Sequence, residues 1–256
     1  MAFLCQATSH VLTAEGAVYR TRLEGNLAQP GIPDPALLPW ATALVGEIAP
    51  LAGDTAAAEA AFRAVLLATP EAQREALMLA DLLRARGDAA GAVAVLKDSP
   101  DTDGVLIRRQ QANAALGLTD EATALAATLD TGFRLNLDLG LTAHAREESM
   151  CFVDIAGDPA SDLTPVHVIW AQQHEIEDAV LLLRADRAAG KPEAAQPVTD
   201  RMAEAGGGAA DRPGLFPPRR VKLARLPRHK PECSPFRPTR IARCAPPPFC
   251  PQLPQR

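Results

Sequence analysis

Along residues 38–205 apolar positions recur at three- and four-residue steps, the period that buries one face of an α-helix. Glycines interrupt these runs at intervals, and one unit repeats. It consists of an apolar run, a glycine, a polar or proline position, and a second, alanine-rich run. The glycines are Gly53, Gly87, Gly117, Gly157 and Gly190, spaced 34, 30, 40 and 33 residues apart. Each is placed to end a helix, because glycine takes up the left-handed C′ conformation without a steric penalty. Asp54, Asp88 and Asp158 follow as N-caps, whose carboxylates accept hydrogen bonds from free backbone amides. Pro159 and Pro192 fall in first turns, where a missing N–H costs nothing.

The pattern predicts five helix pairs: 38–51 with 55–68, 72–86 with 89–97, 103–116 with 119–129, 143–156 with 159–173, and 175–189 with 192–204. Residues 5–25 read as one further helix, the remnant of a preceding unit, and 29–35 as a linker or turn. Pro165 and Pro197 fall inside expected second helices, where proline costs about 3 kcal/mol and predicts a kink or an early stop. Residues 130–142 lengthen one connection, as a short helix or an extended loop.

The first two units carry the most specific pattern. The stretch from Gly53 to Phe62 aligns with that from Gly87 to Leu96. Small residues stand at Gly46 and Ala58, an aromatic at Phe62 and a proline at Pro70; 34 residues after the first three come Ala80, Ala92 and Leu96. This spacing resembles tetratricopeptide repeats of bacterial type, although Thr42 occupies the family's tryptophan position and Trp40 sits two residues earlier.

The resemblance implies an all-α chain: an α-solenoid of antiparallel helix pairs, wound as a right-handed superhelix over 39–205. An N-terminal helix and linker (1–38) would precede it, and a disordered Pro/Arg-rich tail (206–256) would follow. It also implies a concave groove lined by the first helix of each pair. Counting from the turn glycines puts Trp40 and Glu47 of the first pair there, with Arg74, Asp81 and Arg84 of the second and Gln111 of the third. His144, Glu147 and Asp154 come from the fourth pair, and Glu177, Arg184 and Arg187 from the fifth. These are the expected protein-binding residues, and an unidentified peptide or protein is the expected partner. The family's carboxylate clamp is not carried over, because its first-unit positions are Ala43 and Glu47 here.

Composition agrees with helices. Hydrophobic residues make up 47% of the chain but aromatics only 4%, and few segments combine β-branched density with alternation. Charge divides the chain. Residues 1–210 hold 15 Lys+Arg against 29 Asp+Glu, a net of −14, whereas 211–256 hold 11 against 2, a net of +9. Twelve of the 23 prolines lie in those last 46 residues, which predicts an extended tail. A translational frame shift in a GC-rich gene would leave such a tail as well. Cys5 and Cys151 read as small core residues and the other three cysteines lie in the tail, so no disulfide framework is expected. No apolar run reaches bilayer length and no signal peptide is visible, which favours a soluble, cytoplasmic chain.

Catalytic constellations are sparse. His174-Glu175-Ile176-Glu177-Asp178 begins like a zinc helix, but Asp178 stands where the second histidine is needed. Gly190-Lys191-Pro192 lacks the remainder of a phosphate loop. Cys233, Cys244, Cys250 and His229 have no metal-ligand spacing, and His167 with His174 falls short of a ligand set. Glu147 and Glu148 are adjacent and face different directions on a helix. The expectation is a non-catalytic scaffold without cofactor or metal. The alternatives are a metal-dependent enzyme using scattered His and Glu, and a binder of nucleic acid or membrane surface through the basic tail. Nucleic acid is not the expected partner.

Overall fold

The computed structural model describes residues 2–9, 15–29, 35–139, 144–156, 164–172 and 175–204. The expectations for residues 30–34 of the linker, residues 140–142 of the lengthened connection, the tail, Gly157, Asp158, Pro159 and His174 lie outside the described residues. The chain divides into two units, Met1–Leu226 and Pro227–Arg256, and every described residue lies in the first.

Twelve α-helices and no strand occur among the described residues. They are α1 (Ala2–Ser9), α2 (Glu15–Leu27), α3 (Leu38–Ile48), α4 (Thr55–Ala68), α5 (Gln73–Ala85) and α6 (Ala89–Val95). Then come α7 (Asp103–Ala115), α8 (Thr119–Asp138), α9 (Ala145–Cys151), α10 (Thr164–Gln172), α11 (Ile176–Ala188) and α12 (Gln196–Glu204).

The turn glycines act as the sequence predicts. Gly53, Gly87, Gly117 and Gly190 all have φ between 71° and 90°. Each turn closes with the same pair of bonds. At Gly87, the Gly87 N–H donates to Arg84 O at 3.0 Å and the Asp88 N–H reaches Leu83 O at 2.9 Å. The residues after the other three glycines repeat the longer bond: Asp54 to Ala49 O, Leu118 to Asn113 O, and Lys191 to Asp186 O. These four Schellman turns satisfy carbonyls that the helix ends would leave orphaned. Asp54 and Asp88 then cap α4 and α6, accepting from the Ala57 and Gly91 amides at 3.0 and 2.8 Å.

Neighbouring helices pack in pairs: α3 on α4, α5 on α6, and α7 on α8. The pairs join where α4 meets α5 and α6 meets α7. The series changes after α8. Among the described residues α8 and α9 share no comparable contact; α9 packs on α7, and α10 lies against both α9 and α11. Two apolar clusters result. One fills α4–α7 around Phe62, Leu79, Leu83, Leu96 and Val105. The other joins α1–α3 to α7–α12 through Leu4, Leu44, Ile107, Phe133, Trp170 and Leu182. The small repeat positions are buried as expected, with Ala58 and Ala92 at 0% exposure and Ala80 at 1%.

Several expectations need correction. Within the segment 5–25 the described residues belong to α1 and α2, and residues 10–14 lie outside the described residues. Residues 130–138 are the last turns of α8, because Ala122, Ala126, Leu129 and Phe133 keep one buried face going. Pro197 is the second residue of α12, directly after a 3₁₀ turn at Pro192–Ala195, where proline's fixed φ suits the first turn; the residues ahead of Thr164 and Pro165 lie outside the described residues. Cys151 is buried, but Cys5 is exposed on α1 while Leu4 and Ala7 face the core.

Candidate functional site

The first helix of each pair carries charged residues on a common face. On α5, Arg74, Leu77, Asp81 and Arg84 follow one another at three- and four-residue steps and so line one side. On α7, Arg108 and Gln111 are one turn apart. Arg146 and Glu147 belong to α9, and Glu177, Asp178 and Arg184 to α11. In space these side chains meet.

Arg74 lies at the centre. Its guanidinium is 3.4 Å from Glu47 on α3, 3.4 Å from Glu175 and 3.3 Å from Glu177. Arg146 donates to Asp178 at 2.7 Å and to Glu175 at 3.0 Å. Asp178 in turn accepts the Glu175 backbone N–H at 3.2 Å. The sequence that resembles a broken zinc helix therefore starts α11, with Asp178 folded back over the helix entrance. Arg108, 6% exposed, donates twice to Asp81, at 2.9 and 2.6 Å, and once to Gly104 O at 3.1 Å. Arg84 approaches Asp81 at 3.7 Å. Gln111 donates to Asp154 at 2.8 Å, and Arg184 also binds Asp154. His144 stands 3.0 Å from Asp103.

The expected groove residues thus have different fates. Glu47, Arg74, Asp81, Arg84, Gln111, Asp154, Glu177 and Arg184 are linked to one another or to near neighbours across the helices. Trp40 is half-buried against the larger apolar cluster, and Arg187 is exposed on the last turn of α11. No ion pair or hydrogen bond among the described residues engages the Glu147 carboxylate. The repeat pattern missed Arg108, Arg146, Glu175 and Asp178. Arg108 offered one signal, a charge standing directly after the apolar run Val105-Leu106-Ile107.

A cleft of about 240 Å³ opens in this face. Arg74, Arg108, Arg146, Glu147 and Glu177 supply its charges; Leu77 and Met150 supply apolar surface, and Gln73 completes the lining. Burial pushes the Glu47 carboxyl up to about 7, against the opposing pull of Arg74. Burial likewise raises Glu177 and Asp178 despite their arginine neighbours.

Burial pushes the Cys151 thiol up to about 12, which leaves it protonated and a poor nucleophile. The Ser149 hydroxyl donates to Ala145 O. His167 lies 3.3 Å from the fully buried Asp186, and no described hydroxyl or thiol shares a hydrogen bond with it. Among the described residues no group of three His, Cys, Asp or Glu could hold a metal ion, and no helix is long and apolar enough to cross a membrane. No protein-family model, curated protein or solved structure matches the chain.

Proposed function

We propose that the chain is a non-catalytic interaction scaffold, a tetratricopeptide-like α-solenoid that takes an extended segment of a partner protein at the cleft beside Arg74. The support is a convergence. Three residues chosen only by their register from the turn glycines, Arg74, Glu147 and Glu177, line the same cleft although they belong to three different helix pairs. Most of the remaining inner charges neutralise one another, so they stiffen the face and leave the cleft as its accessible recognition point. The repeated Gly-Asp turns with their buried Ala, Phe and Leu positions supply the family resemblance.

The test is selection from a displayed random-peptide library on the intact chain, followed by titration of the enriched peptides. Gln73→Trp places a bulky ring at the mouth of the cleft and gives up only the exposed bond from the Gln73 amide to the Thr102 hydroxyl. Enriched peptides should lose most of their affinity for this variant while its melting temperature stays unchanged. Failure to enrich any sequence over a blank surface, or binding that ignores the tryptophan, would overturn the proposal.

A further inference from the structure

The charges of the cleft do not balance. Arg74, Arg108 and Arg146 line it, and the carboxylates that line it or bond directly to those arginines are Glu47, Asp81, Glu147, Glu175, Glu177 and Asp178. Two of these carboxylates, Glu147 and Glu177, line the cleft itself; with the Glu47 carboxyl protonated, five carboxylates meet the three guanidiniums and Arg84, which also approaches Asp81, and one negative charge is in surplus. Two of the arginines hold close partners. Arg108 spends its bonds on Asp81 and Gly104 O, and Arg146 on Asp178 and Glu175. Arg74 is spread over three partners at 3.3–3.4 Å. Good charge-assisted bonds are shorter, about 2.7–2.9 Å, so Arg74 satisfies none of its carboxylates fully. Glu147 has no cation at all among the described residues.

The surplus lies where a ligand can reach it. Glu147 and Glu177 both border the cleft, and Leu77 and Met150 lie beside them. A volume of about 240 Å³ is below the roughly 300–1,000 Å³ of pockets that enclose a drug-sized molecule, so it suits one long side chain. A long basic side chain has the matching form, an apolar stem tipped by a cation. We infer that the cleft receives one such side chain, a guanidinium or ammonium carried by an extended peptide, with Glu147 and Glu177 as its acceptors. This inference rests on the binding role proposed above and adds the chemistry of the partner. The raised carboxyls agree with it: burial lifts Glu47 and Glu177, and an added cation would relieve the repulsion among the carboxylates that share Arg74.

The experiment uses fluorescein-labelled pentapeptides with one variable central residue, Arg, Lys, Gln or Glu, titrated into the full chain by anisotropy at low salt. The Arg and Lys forms should bind more tightly than Gln, and the Glu form most weakly. Glu147→Gln should weaken the Arg form about tenfold, as expected when a charged acceptor is removed, and leave the Gln form unchanged. Glu121→Gln, an exposed carboxylate on α8, should change nothing. Equal affinity for the Arg, Gln and Glu forms, or an Arg form indifferent to Glu147→Gln, overturns the inference. If all forms bind equally yet lose affinity on Gln73→Trp, the scaffold reading stands and the basic side chain falls. If none binds and the library also yields nothing, both fall.

Discussion

The ring of Phe62 occupies the space that a side chain on Gly46 would fill. A Cβ built on Gly46 would lie 2.6 Å from Phe62 Cε1, inside any real contact distance. Phe62 is 2% exposed and anchors the cluster between α4 and α7. The ring is packed on all sides, so it has little freedom to yield. Gly46→Ala should therefore destabilise the fold by about 1–3 kcal/mol, as overpacking does. Phe62→Ala should cost more, about 3–5 kcal/mol, by opening a cavity. The double variant Gly46→Ala/Phe62→Leu should recover part of the first loss. Urea midpoints at constant m-value would read these variants and Phe62→Leu alone, and additive losses in the double variant would contradict direct contact.

Arg109 holds the turn between α6 and α7. Its guanidinium donates to Leu96 O at 2.6 Å, Ser99 O at 3.1 Å and Lys97 O at 3.2 Å, and it pairs with Asp101 at 2.5 Å. These carbonyls follow the end of α6, where no intrahelical donor remains. Arg109→Met keeps the stem and removes the donors; it should cost about 1–3 kcal/mol, close to a lost charged hydrogen-bond set. Arg109→Lys should recover only part, because one ammonium can serve the carbonyls reached by Nη2 but not also Asp101, reached by Nη1. Hydrogen exchange should speed up at 96–101 in both variants.

The difference between what could and could not be read from the sequence is one of range. The Gly-Asp turns were legible because glycine's left-handed conformation and the aspartate cap act within a few residues. The buried positions of α4 and α6 were legible because their spacing repeats after 34 residues. The end of α8 was obscured by Thr131-Gly132, which looks like a break. Gly132 nevertheless sits in open space within the helix, and the buried face carried on to Phe133 holds the helix together. The site was legible only in part. Register from the turn glycines selected Arg74, Glu147 and Glu177, but nothing local pairs Arg74 with a residue 103 positions away or joins Arg146 to Asp178.

That second pair gives a prediction. The Asp178 side chain is fully covered, whereas Arg146 keeps 23% of its surface. Arg146→Met would leave a buried carboxylate with only the Glu175 N–H as partner. Breaking such a pair from one side costs about 3–5 kcal/mol. Adding Asp178→Asn should return most of that loss, since the uncompensated charge is then gone. A thermal-melt double-mutant cycle measures the coupling, and an Arg146→Met melt equal to wild type would refute it.

Glu47 should make stability fall as the pH rises from about 4.5 to about 7. Its folded pKa, pushed up by burial to about 7, lies above the ordinary carboxylate value of 4.5. Between those values the folded chain holds a proton that the unfolded chain has released. Stability must then decrease with increasing pH across that window, and the stabilisation by the protonated form is full only below about 4.5. The whole effect is of the order of 3 kcal/mol. Glu177 and Asp178 are raised in the same direction and steepen the wild-type curve. Asp54 and Glu59, lowered by their arginine partners, act oppositely but titrate at lower pH. The informative quantity is therefore the difference between wild type and Glu47→Gln, whose amide imitates the protonated acid. That difference should be small near pH 5 and should grow in favour of the variant towards pH 8. Urea midpoints for both proteins at half-unit pH steps would measure it. Parallel curves would show that Arg74 holds Glu47 ionised throughout, and that the carboxylates sharing this arginine do not compete for it.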